Sequence, residues 1–170
     1  MDLILSQPAL STRLAAVVAS GTFFGLTVST STCIIPVLLD KQLGLAAKDR
    51  LGCWIRQFDF CARRWTPISS SSMVMSLASL YLTPRGATNA NRSLLWLNFA
   101  SFFGQFLLTF AFIFPVKDRL KAQQKKGEPY NDVEIRQNIT AWERLHKLRI
   151  LGSAVAFGAS LVELVGFVRQ

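Results

Sequence analysis

Four stretches almost free of charge dominate this sequence and decide what it can fold into. Residues 14–39, 65–84, 93–116 and 150–168 run for 26, 20, 24 and 19 residues, and only Glu163 interrupts any of them. About 20 predominantly apolar residues in helical form cross the hydrocarbon core of a bilayer. None of the stretches alternates with period two, and an open sheet edge cannot face lipid. The sequence therefore predicts an all-α membrane protein. We read residues 1–170 as one domain, a bundle of four transmembrane helices without an evident internal repeat. The first stretch is nearly twice as long as the apolar region of a cleaved leader, about 7–15 residues, so it is read as a span.

Charge enters the argument through where it lies. Only 17% of residues are charged, against about 25% in a soluble globular domain, which excludes an ordinary soluble enzyme and a disordered tail. Of 19 lysines and arginines, 15 fall in two connecting segments, six in residues 40–64 and nine in residues 117–149. The positive-inside rule places both long basic loops in the cytoplasm, with both termini on the other side of the endoplasmic reticulum or another internal membrane. The net charge of +9 then reflects topology, with membrane lipids as neighbours and no nucleic acid as partner. The two loops are expected to carry short amphipathic segments. Residues 49–64 mix Trp54, Phe58 and Phe60 with Arg56, Arg63 and Arg64, a composition suited to headgroup depth. Residues 125–132 read as an exposed turn, and residues 133–149 as a helix running into the fourth span. Cys33, Cys53 and Cys61 show no metal-ligand spacing, and no metal site is expected.

Small residues mark where the helices meet. The first stretch carries Gly21, Gly25, Ser29 and Cys33 on one stripe, and the second carries Ser72, Ser76 and Ser79. The third places Asn98, Ser101, Gln105 and Thr109 on one face. The fourth places Trp142, His146, Arg149, Ser153, Ala156, Ser160 and Glu163 on a continuous polar and small stripe, because steps of three and four keep side chains aligned. Glu163 is an intramembrane ionisable group, and such groups mark candidate sites. At 1.5 Å per residue, Asn98 and Glu163 lie about 9 and 8 Å from the luminal ends of their helices. Either the Asn98 amide donates to the carboxylate, or Glu163 snorkels to the headgroups near Arg169. At the opposite mouth, Trp142, His146 and Arg149 form a set suited to a planar acidic aromatic ligand. An indole stacks, an imidazole removes a proton and a guanidinium holds an enolate. The alternative is an interfacial anchor, since Trp and Arg gather at headgroup depth whatever the function. His146 is the sole histidine, and no haem, flavin, nicotinamide or zinc motif is present.

The run from Trp142 through His146 to Arg149, leading into the last span, resembles the anthrone oxygenase-like membrane proteins, whose pattern is a Trp, then Asn or His, then Arg before the fourth helix. Phe114-Pro115-Val116-Lys117-Asp118-Arg119-Leu120 is similar to the family's segment after its third helix, and Trp54 falls where members carry a Trp. The resemblance spans roughly residues 14–168. Two departures border the best-matching motifs: Val116 and Lys117 stand for the family's Thr and Asn, and Ile150-Leu151-Gly152 lacks its proline. They leave open a different substrate or a member without oxygenase activity. The resemblance implies oxidation of a small aromatic polyketide, an anthrone, to an anthraquinone in a fungal secondary-metabolite pathway. Molecular oxygen would be the co-substrate, with no bound cofactor and with other pathway enzymes as partners. It further implies His146 as base, Arg149 as enolate stabiliser, Trp142 as stacking wall, and Asn98 and Gln105 as polar positioners of the substrate. The rival readings are a non-catalytic accessory or scaffold protein of a biosynthetic pathway and a small transporter. A pocket closed at the luminal end favours the enzyme; a polar route across the full depth favours the transporter.

Overall fold

The structure, a computed structural model, describes residues 8–83 and 89–169, with the side chains of residues 89–91 outside the description. The last residue of the expected second span, Pro84, lies outside it too. The described chain is helical, in the order α1 (Pro8–Ser29), π1 (Thr30–Ile34), α2 (Ile35–Leu39), α3 (Ala47–Leu82), α4 (Asn89–Leu108), π2 (Thr109–Ile113), α5 (Phe114–Lys126) and α6 (Asp132–Val168). These form four rods, because each π segment joins the helices on either side. Both joins have one cause. Pro36 and Pro115 stand at the second position of α2 and α5, and a proline inside a helix has no amide to give and clashes with the carbonyl four residues back. Widening the turn before it to a π step, with Ile35 and Phe114 donating to Thr30 and Thr109, relieves the clash. α6 begins at Asn131, whose side chain accepts from the Glu134 amide, an N-cap.

Each rod packs on two neighbours. The first touches α3 and α6, and α4 touches the same two, so the first and third rods, like the second and fourth, face each other across the bundle. Two apolar clusters fill it. One joins Ile35, Leu51, Trp54, Ile113, Leu120, Ile139 and Trp142 near the basic end; the other joins Phe23, Trp65, Phe102 and Ala156 further along. Outside, Phe103, Leu107, Phe110 and Phe112 are about half exposed along one flank. An apolar flank of that length is what a helix presents to lipid rather than water.

Two expectations need correction. Among the described residues three helices, not four, are long and apolar enough to cross a membrane: Pro8–Leu39, Arg92–Lys126 and Asp132–Val168. The second rod falls short because of its serines. Ser69, Ser72, Ser76 and Ser79 are buried, and their hydroxyls bond within the bundle, Ser72 to the Ala16 carbonyl (3.3 Å), Ser76 to Asn98 (2.7 Å) and Ser79 to Thr12 (3.0 Å). Nor do residues 49–64 lie apart as an interfacial segment. They are the first half of α3, with Trp54 and Trp65 buried and Phe60 left outside. Arg50, counted above among the topogenic charges, is fully buried. It donates to the Leu38 and Leu45 carbonyls, each at 2.8 Å, and pairs with Asp132, closing the first connection against the start of α6.

Candidate active site

Arg149, His146 and Trp142 stand on successive turns of one face of α6, and all three line a cavity at the basic end of the bundle. π1 and π2 deliver Thr30 and Thr109 to it, α3 delivers Trp54, Gln57, Phe58, Cys61 and Trp65, and α4 delivers Phe106. The cavity has a volume of about 150 Å3, below the roughly 300–1,000 Å3 of typical small-molecule sites, and it opens to the outside through a mouth. The exposed lining residues are Ala62, Thr66 and Phe110, so the mouth opens sideways between α3 and π2, on the apolar flank.

Stacking fixes the imidazole. Its ring lies 4.6 Å from the Trp142 ring at 11°, and Trp54 meets Trp142 edge-on at 5.7 Å. His146 Nε2 sits 3.1 Å from the Thr27 carbonyl. A carbonyl only accepts, so Nε2 carries the proton and Nδ1 keeps a free lone pair. That atom has no partner, and neither do Trp142 Nε1 and Arg149 Nε. Buried polar atoms are nearly always satisfied, and an orphan needs a reason. Three such atoms belong to residues on consecutive turns of α6 that all line this cavity. The Arg149 guanidinium also lies 5.5 Å over the Phe23 ring.

The other expected site residues fall elsewhere. Gln105 does not line this cavity. It borders a smaller hollow that shares Thr66, Phe106, Thr109 and Arg149 with it, and its amide is placed 3.2 Å from both the Arg149 carbonyl and the Ser153 amide. Asn98 lies outside both hollows. Its oxygen accepts from Ser76 at 2.7 Å, while its nitrogen donates to the Ala156 carbonyl at 2.8 Å and to Ser160. It thus ties α3, α4 and α6 together, and it does not reach Glu163. Nor does Glu163 snorkel. It is buried against Arg13, Nε to Oε1 at 2.8 Å, both side chains 1% exposed. Arg13 also donates to the Ala9 carbonyl (2.9 Å) and Thr83 (2.6 Å), and the Phe167 ring covers it. The sequence analysis offers no cation for Glu163 because Arg13 stands just before the first uncharged stretch, residues 14–39. The available signal was that a helix begun at Pro8 turns Arg13 inward with Ala16 and Ser20.

A model of the anthrone oxygenase family matches residues 54–159, well over half of the chain. The chain belongs to the anthrone oxygenase family. The match begins at Trp54 and takes in Trp142, His146 and Arg149, so it covers most of the cavity wall of this family member. No curated protein and no solved structure matches the chain.

Proposed function

We propose that this family member is a membrane oxygenase that converts a planar, anthrone-like phenolic substrate to the quinone with molecular oxygen and without a resident cofactor. The observation that carries the proposal is the set of three unpartnered polar atoms, His146 Nδ1, Trp142 Nε1 and Arg149 Nε, on one aromatic-walled cavity. An anthrone methylene is acidic because its carbanion spreads over a phenolic ring system. His146 Nδ1 takes that proton, and Arg149 holds the enolate oxygen. Trp142 and Trp54 enclose the rings. The electron-rich carbanion reduces oxygen itself: the methylene loses two hydrogens, one oxygen atom becomes the new carbonyl and the other leaves as water. The chain's task is to supply a base, an anion holder and a dry pocket that dissolves both reactants. The sideways mouth suits a substrate arriving from the bilayer.

In this reading the second rod, too polar to qualify by itself, crosses the membrane with the other three because its serines are satisfied inside the bundle, and the two basic connections lie on the cytoplasmic face of an internal membrane. Other pathway enzymes would dock there. Against the transporter alternative, Asn98 and Glu163 are each bonded to other side chains of the bundle. The test is oxygen uptake and quinone formation by the purified protein in nanodiscs with emodin anthrone, against a protein-free blank and His146→Ala. A rate well above the blank that collapses in the variant is the expected result. Equal rates in the two proteins would end the assignment of His146 as base, and a rate equal to the blank would end the oxygenase reading.

A further inference from the structure

A repeat, not evident at first reading, runs through the chain and bears on the cavity. Phe23-Phe24-Gly25 returns as Phe102-Phe103-Gly104, Thr30 as Thr109, Ile34 as Ile113 and Pro36-Val37 as Pro115-Val116. Residues 23–37 and 102–116 thus share seven of fifteen positions without a gap. π1 and π2 occupy the same five places in the two copies. After a connection nine residues longer in the second copy, Trp54-x-Arg56-x-Phe58-x-x-Cys61 returns as Trp142-x-Arg144-x-His146-x-x-Arg149. The geometry follows suit: Phe58 stacks on Trp54 at 5.3 Å and 22°, as His146 does on Trp142. Equivalent residues also meet each other, Phe23 with Phe102 at 5.6 Å and Trp54 with Trp142 at 5.7 Å. A residue can touch its own equivalent only near the axis that relates the copies. The bundle is therefore two helical hairpins about a pseudo-two-fold axis, with the cavity beside it.

We infer that the two halves of the cavity divide one substrate between them: Trp142, His146 and Arg149 hold its reacting ring, and Trp54, Phe58 and Cys61 hold and select its far ring. The second set has the same scaffold without base or cation. Phe58 replaces the imidazole and Cys61 the guanidinium, giving an apolar, polarisable seat for a fused aromatic. The orphaned Nδ1 of His146, a residue 0% exposed, points to a ligand in the same cavity. Cys61 is half-buried in the wall, with the Gln57 amide nitrogen 2.9 Å from its sulfur. For the identity of the ligand the proposal rests on the oxygenase reading.

The test makes Cys61 the sole thiol by Cys33→Ser and Cys53→Ser, both exposed positions, and follows its labelling by a small membrane-permeant maleimide. Emodin, the quinone product, is the ligand, and quenching of tryptophan fluorescence reports its binding. We expect saturating emodin to slow labelling at least ten-fold, equally in a His146→Ala background, since contact with the far ring needs no chemistry. Phe58→Ala should raise KM for emodin anthrone about ten-fold and leave kcat within two-fold, where a merely structural loss would lower apparent kcat and leave KM unchanged. A Cys61 that labels no slower while the tryptophans are quenched overturns the division, as does one that never labels in the empty protein. Protection without turnover sinks the oxygenase reading and leaves this one standing. Absence of both quenching and protection overturns the two together.

Discussion

The two ends of this bundle bury polar groups in opposite ways. At one end, Arg13 and Glu163 are wholly buried and paired with each other, and Arg13 also donates to Thr83 and to the Ala9 carbonyl. At the basic end, His146 and Trp142 are buried and Arg149 is partly buried, yet each keeps a buried atom with no partner. Polar groups are taken out of water at both ends; satisfaction separates them. A completed network holds helices together, whereas an incomplete one around a cavity awaits something that completes it.

The sharpest way to break this contrast is to remove the incomplete set. In His146→Ala and Arg149→Ala, quinone formation should fall by 100-fold or more, since a positioned base contributes about 10²–10⁴ in rate. Thermal unfolding in nanodiscs should move less than in any variant of the other end. A large loss of stability with unchanged turnover per folded molecule would reverse the assignment of the two ends.

The completed end should behave the other way. Glu163→Leu leaves Arg13 charged and alone, and breaking a buried pair costs about 3–5 kcal/mol. Removing both members, Arg13→Leu with Glu163→Leu, should recover most of that, because an apolar pair of similar volume is often neutral. Turnover per folded molecule should stay near normal in both. Asn98→Ala comes next. It removes the side-chain bonds that tie Ser76 on α3 to Ser160 and the Ala156 carbonyl on α6 and should cost about 1–3 kcal/mol, with KM for emodin anthrone unchanged because Asn98 does not line the cavity. A ten-fold rise in KM would return Asn98 to the substrate.

These cases also show what could be read from the sequence. The face of α6 was legible because helical periodicity is local: Trp142, His146 and Arg149 fall together whatever surrounds them. Whether a polar residue on such a face is satisfied depends on other helices, and periodicity says nothing of that. Asn98 and Glu163 therefore read as site residues, whereas the structure gives them partners of their own, on α3 and α6 for Asn98 and on α1 for Glu163. The second rod was the hardest to place, since Ser69, Ser72, Ser76 and Ser79 lower its hydropathy and bond inside the bundle. The far half of the cavity was hidden differently. Phe58 and Cys61 carry no catalytic chemistry, and only their spacing from Trp54 matches that of His146 and Arg149 from Trp142.

The smallest effect separates two glycines that the sequence treated as a pair. Gly21 and Gly25 share a G-x-x-x-G stripe, and both were expected to let helices approach closely. A Cβ on Gly21 would lie 2.9 Å from the Phe157 ring of α6, whereas one on Gly25 would meet nothing within 4 Å. The Phe157 ring is stacked on Phe24 at 6.2 Å, which limits how far it can swing aside. Gly21→Ala should therefore destabilise by about 1–3 kcal/mol, the range for overpacking. Gly25→Ala should be neutral or slightly stabilising, because alanine favours the helix by about 1 kcal/mol over glycine where space allows. The contact lies outside the cavity lining, so both variants should keep normal turnover. Equal losses in the two would mean that the stripe works as a unit and that the first rod sits closer to its neighbours around Gly25 than the structure has it.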